Sequence, residues 1–161
     1  MGMNRRHAIH RALLFACGLA ATPLRLLRAD DAKEEAIKKE FLAIEGRWQA
    51  VSMEIDGNRL SDEECKKFVL EHGRDGEWEL IVDGTELARG TTSVDPSQTP
   101  KTIDFATTGG TNAGERTYGI YEITGTTWRV CNAQAGRPRP NEFSSPAGSG
   151  RVLVVFELVK D

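Results

Sequence analysis

Histidine, cysteine and long apolar runs are all scarce in this chain, and each scarcity removes a class of function. Of the three histidines, His7 and His10 fall in the first ten residues, so His72 is the one imidazole in the rest. A histidine zinc site cannot be assembled there, and a Ser-His nucleophilic arrangement has a single base to draw on. The three cysteines, Cys17, Cys65 and Cys131, contain no Cys-x-x-Cys pair, which removes thiolate zinc motifs as well. Beyond the N-terminal segment, Cys65 and Cys131 are open to two readings: one disulfide in an oxidising compartment, or two separate, half-buried thiols. The run Ala12–Ala21 is about ten residues, half of what a helix needs to cross a bilayer. No metal and no cofactor is expected from these patterns.

What is present divides into three parts: residues 1–29, 30–45 and 46–161. Hydrophobic content of 39% with 28% charged residues is that of a globular domain rather than a disordered or membrane-embedded chain. The stretch from Gly46 onward has the length of one packed domain.

Residues 1–29 have the layout of an export signal: Arg5, Arg6 and Arg11, then the apolar run, then small residues. Three versions share these residues. A plain secretory peptide would be cut near Ala21 or Ala29. Leu14-Phe15-Ala16-Cys17-Gly18 resembles a bacterial lipobox, which would make Cys17 a lipid anchor. Asn4-Arg5-Arg6-His7 resembles a twin-arginine signal. All three place the protein outside the cytoplasm, in the periplasm, cell envelope or medium. The signal also hides charge: with five arginines and no acid in residues 1–29, the remainder holds 16 basic and 24 acidic residues, a balance of −8. Such a domain repels nucleic acid and anionic lipid, so no nucleic-acid partner is expected, and membrane attachment only through the anchor.

Asp30–Ile44 reads as one helix. Asp30 or Asp31 can cap it, and Ile37, Phe41 and Ile44 fall at i, i+4, i+7 on one narrow stripe that needs a partner. From Gly46 the period switches to two, and turn residues recur about every ten positions, the pattern of an antiparallel sandwich or barrel. Strands are expected over 47–55, 67–71, 77–82, 86–94, 102–107, 116–123, 127–132 and 152–158. Asp56-Gly57, Asp83-Gly84 and Thr124-Gly125 supply hairpin turns, and Ser61 with Glu64 a capping box. Eight short strands are best satisfied by closing the sheet, which removes its edges. The expected fold is therefore an all-β, eight-stranded antiparallel barrel with an N-terminal helix.

Gly46-Arg47-Trp48, opening the first strand after a helix, resembles the Gly-x-Trp start of lipocalin-like barrels. The resemblance implies that Trp48 plugs one barrel end and that Arg151, opening the last strand, packs over it. Read in order, Glu45-Gly46-Arg47-Trp48-Gln49-Ala50-Val51-Ser52, Asp56-Gly57, Asp95-Pro96, Pro100-Lys101-Thr102-Ile103-Asp104, Tyr118-Gly119-Ile120-Tyr121-Glu122, Trp128-Arg129-Val130-Cys131, Arg137-Pro138, Glu142-Phe143 and Gly148-Ser149-Gly150 resemble an uncharacterised domain family expanded in planctomycete bacteria. That resemblance covers about residues 42–160 and implies a small exported or membrane-attached protein without an established activity. The charged turn Arg74-Asp75-Gly76-Glu77 departs from it.

Reactive chemistry is poorly supplied. The glycine-rich stretch 109–115 lacks the Lys-Ser or Lys-Thr of a phosphate loop and leads into a strand. Ala147-Gly148-Ser149-Gly150 is not a nucleophile elbow, and Glu122 with Glu142 form no recognisable acid pair. Catalytic residues are therefore expected to be absent. In the long 131–151 segment, Glu142 should pair with Arg137, Arg139 or Arg151 and fasten a loop closing one barrel end. Trp78, Tyr118, Tyr121 and Trp128 are the candidates to line a cavity. The expected function is a non-catalytic module binding a small apolar ligand or an envelope protein; the rival is a filled barrel serving as a structural or interaction domain. An interior void on the order of 300 Å³ separates the two.

Overall fold

A computed structural model describes residues 24–160 of the chain, with side chains from Arg28 onward. The expected signal, including Cys17, lies outside the described residues except for 24–29. Those residues open helix α1 (Leu24–Ile44), which starts six positions before Asp30. Leu24-Arg25-Leu26-Leu27-Arg28-Ala29 contains only strong helix formers and nothing that stops a helix, so Asp30 and Asp31 lie inside it rather than capping it. Residues 28–36 are all exposed, and the helix touches the rest through Ile37, Glu40, Phe41 and Ile44, the spacing of one face.

Nine strands follow: β1 (Gly46–Ile55), β2 (Asn58–Arg59), β3 (Phe68–His72), β4 (Glu77–Val82), β5 (Thr85–Asp95), β6 (Lys101–Gly110), β7 (Arg116–Thr124), β8 (Thr127–Ala133) and β9 (Arg151–Leu158). From β3 to β9 each strand pairs antiparallel with the next, and β1 pairs with both β3 and β9. The sheet is thus a closed, lipocalin-like eight-stranded barrel. The ninth strand, β2, is a two-residue hairpin return on the end of β1, too short to leave an alternating pattern. Asp56 and Gly57 (φ 50° and 84°), and Asp83 and Gly84 (φ 51° and 77°), take the positive φ pairs of tight hairpins. Ser61 and Glu64 form the capping box of the short helix α2 (Asp62–Cys65).

One end of the barrel is packed and lidded by α1. Trp48 and Trp128 are fully buried and meet edge to face at 5.4 Å between ring centroids, an arrangement their quadrupoles favour. Trp48 Nε1 donates to the Ile44 carbonyl at 2.9 Å, tying helix to plug. Phe41 stacks on His72. Glu40, buried on the helix, accepts from Tyr121 Oη at 2.9 Å and from Lys101 Nζ at 2.5 Å.

Arg151 does not pack over Trp48. Trp48 pairs with Leu158 at the far end of β9, seven positions from Arg151, which at about 3.3 Å per residue puts the two at opposite ends of the barrel.

The 134–150 loop is also placed differently from expectation. It starts at the open rim but folds down the outer wall of β6–β8 instead of closing an end. There it covers Ile120, Cys131 and Ala133, which face outward and are nonetheless buried together with Pro140 and Ser145. Arg139 is its main fastener: Nη1 bridges Asp104 at 2.6 Å and donates to the Gly119 carbonyl at 2.7 Å. At the rim, Ser145 Oγ accepts from the Asp56 N–H and donates to the Arg151 carbonyl, while Asp56 Oδ1 accepts from the Gly150 N–H. Of the three arginines, Glu142 pairs with Arg151, at 3.6 Å; its carboxylate also accepts from Ser144 Oγ at 2.9 Å and is mostly exposed, so the ion pair contributes little. The Arg137 side chain is exposed and forms no ion pair among the described residues.

Cys65 and Cys131 are unbridged, and both are fully rather than half buried. Cys65 belongs to the inner core and Cys131 to the outer layer under the loop, so the barrel wall lies between them.

Candidate functional site

The barrel interior is filled at the lidded end and hollow at the other. A cavity of about 270 Å³ lies above the floor made by Phe156, Trp78 and Phe105, and reaches the rim between Ile55, Phe68 and Val152. Strand alternation makes it. On β1, β3 and β9 the inward residues nearest the rim are Met53, Ile55, Phe68, Leu70, Val152 and Val154, all apolar. Deeper on the same strands, Trp48, His72 and Phe156 fill the interior. On β6, β7 and β8 the inward series end in polar residues: Phe105 then Thr107, Gly119 then Thr117, Val130 then Asn132.

Asn132 owes its position to Gly119, its cross-strand partner. A Cβ at position 119 would collide with Asn132 Oδ1, so only glycine leaves room for the amide to lie across the neighbouring strand. Among the described residues, the side chains of Thr107, Thr117 and Asn132 have no hydrogen-bond partner, and Asn132 Oδ1 is buried without a donor. Among the described residues, no charged side chain lines the cavity.

The four aromatic candidates separate. Trp78 lines the cavity, its indole edge lying against Gly90 of β5, where a Cβ would stand 2.9 Å from Cζ2. Trp128 is inward but deeper, packed against Trp48, His72 and Phe156 in the filled half. Tyr121 is inward too, yet bound to the helix through Glu40; burial first, then that carboxylate, pushes its phenol well above the ordinary range and keeps it neutral. Tyr118 faces outward, exposed, beneath the Arg139 guanidinium at 5.3 Å. Tyr118 and Tyr121 have opposite parity on one strand, so the sequence alone already requires that they face opposite sides of the sheet.

Groups considered for reactive chemistry are occupied by structural bonds. His72 Nδ1 contacts the Gly73 carbonyl and Nε2 the Thr92 hydroxyl, each at 3.0 Å. Burial lowers its pKa from 6.5 to about 4, so the ring is neutral at pH 7. Burial raises the Cys131 thiol, whose Sγ donates to the Ser144 carbonyl, which makes it unreactive. Glu122 pairs with its cross-strand neighbour Arg129 at 2.9 Å, on the outer face.

A wider depression of about 810 Å³ lies outside the barrel, beside the C-terminal end of α1. Its carboxylates are partly answered by arginines: Arg47 binds Glu71, and Arg74 binds Glu45. Among the described residues, no group of three or more His, Cys, Asp and Glu side chains is arranged to hold a metal ion. Trp78 lines this depression as well as the inner cavity, and so acts as the partition between them.

Thr107, Thr117 and Asn132 did not stand out in the sequence, since threonine and asparagine at strand ends look like outward, solvated residues. The signal is the parity they share with Phe105, Gly119 and Val130. Comparison of the chain with family models, curated proteins and solved structures finds no match.

Proposed function

We propose that this protein is a non-catalytic, lipocalin-like binding module for a small apolar molecule, exported and working at the cell envelope, and that it belongs with the planctomycete-expanded family its motifs resemble. The observation that supports the reading is the half-hollow interior. A cavity of about 270 Å³ lies at the lower edge of the ligand-pocket range of roughly 300–1,000 Å³. Scaled from a cavity of about 150 Å³ that holds benzene, it suits a molecule of about ten non-hydrogen atoms. The rival reading, a filled barrel, draws its support from the packed Trp48 end, and the space at the rim end favours the binding reading. The absence of catalysis is supported by His72 and Ser145, whose polar atoms are engaged in holding loops together.

Native mass spectrometry of protein purified from its own host tests this. The expected result is a non-covalent adduct, lost on collisional activation, of a mass fitting about ten non-hydrogen atoms. The bare chain alone, together with no uptake of apolar probes in solution, would overturn the reading.

A further inference from the structure

Resting on the reading of the cavity as a ligand site, we infer that its occupant is an uncharged amphiphile with a hydroxyl or amide at one end, held head-outward at the rim by Thr107, Thr117 and Asn132. Register brings these three side chains together. Thr117 is opposite Phe105, two residues before Thr107, and Asn132 is opposite Gly119, two residues after Thr117. They form one polar strip across three adjacent strands, at the level where the facing wall of Met53, Ile55, Phe68 and Val152 is apolar.

The strip selects by chemistry. Two hydroxyls and an amide donate and accept hydrogen bonds, matching a head group that does both. A carboxylate or ammonium drawn to the same level would surrender water with no counter-ion in the lining, a far larger loss than a neutral head group suffers. The apolar floor at Trp78, Phe105 and Phe156 takes the tail. Gly119 shows that the amide's place is built into the backbone, since any side chain there would displace it.

The test is isothermal titration calorimetry of the full domain at pH 7.5 with an eight-carbon series: 1-octanol, octanamide, octanoate, octylammonium and 1-chlorooctane. The alcohol and the amide should bind at least about tenfold more tightly than either ion. Asn132→Leu should weaken 1-octanol about tenfold and leave 1-chlorooctane within about twofold, because it removes the head-group partner and keeps the apolar wall. Should Asn132→Leu not fold, the double variant Thr107→Val with Thr117→Val carries the same expectation. Octanoate binding as tightly as 1-octanol, or variants that weaken 1-chlorooctane as much as the alcohol, would overturn the head-group assignment while leaving the cavity a ligand site. No binding of any probe, 1-chlorooctane included, would overturn both.

Discussion

The two halves of this barrel are built from the same eight strands and do opposite things with their interior. At the lidded end, Trp48, Trp128, Tyr121 and Ile44 are essentially inaccessible, and a helix is bolted on through Trp48 Nε1 and Glu40. At the rim end the inward side chains are smaller or polar, and about 270 Å³ is left empty. Close packing makes the first half the source of stability; incomplete packing leaves the second with a cavity. The division follows from which residues occupy inward positions, because the same strands run through both halves, with β8 and β9 paired without interruption from Thr127–Glu157 to Ala133–Arg151.

The contrast can be broken first by truncation. Trp128→Ala should cost about 3–5 kcal/mol in urea denaturation, since it opens a cavity in a region that cannot collapse. Phe68→Ala, at the half-buried rim, should cost less than half as much. Equal losses at the two sites would mean that the halves are not energetically distinct.

A smaller effect comes from pH. His72 lies in the filled half with its pKa lowered from 6.5 to about 4. Below pH 6.5 the unfolded chain takes up a proton that the folded one refuses, so the His72 contribution is complete above that pH and falls as pH drops toward 4. The whole decline amounts to up to about 3 kcal/mol. Comparing stability curves of the wild type and His72→Gln isolates it: the difference between them should shrink across that window, and a constant difference would argue against a buried neutral ring.

The smallest stability effect should come from filling the hollow half. Val152→Phe puts a ring into the cavity where there is space for it, so the unfolding free energy should change by no more than about 1 kcal/mol in either direction. Ligand uptake should nevertheless be lost. Retained uptake by a folded Val152→Phe protein would place the site elsewhere.

Most of the scaffold was legible in the sequence, for local reasons. Asp-Gly pairs mark the hairpins because few other residues accept positive φ, and alternation marks the strands because one face of each is buried. The missing parts are non-local. Arg151 was expected over Trp48 from the resemblance to lipocalin-like barrels, but antiparallel pairing puts the starts of β1 and β9 at opposite ends. The long loop looked like an end closure because its termini lie at the rim; Arg139 meeting Asp104 on another strand decides its actual course. The cavity's polar strip was missed: parity alone points Thr107, Thr117 and Asn132 inward, but the register that brings them side by side is non-local. Helix α1 ran past its expected start because nothing between Leu24 and Ala29 stops it.

The central claim, a filled end and a hollow end with a ligand held at the latter, is tested most directly by nitrogen–proton NMR of the domain titrated with 1-octanol. The account predicts saturable shifts at the Asn132 side-chain amide, the Thr107 and Thr117 backbone amides and the Trp78 indole, with the Trp48 and Trp128 indoles unmoved. Shifts confined to the outer depression, or absent at the rim, would contradict it.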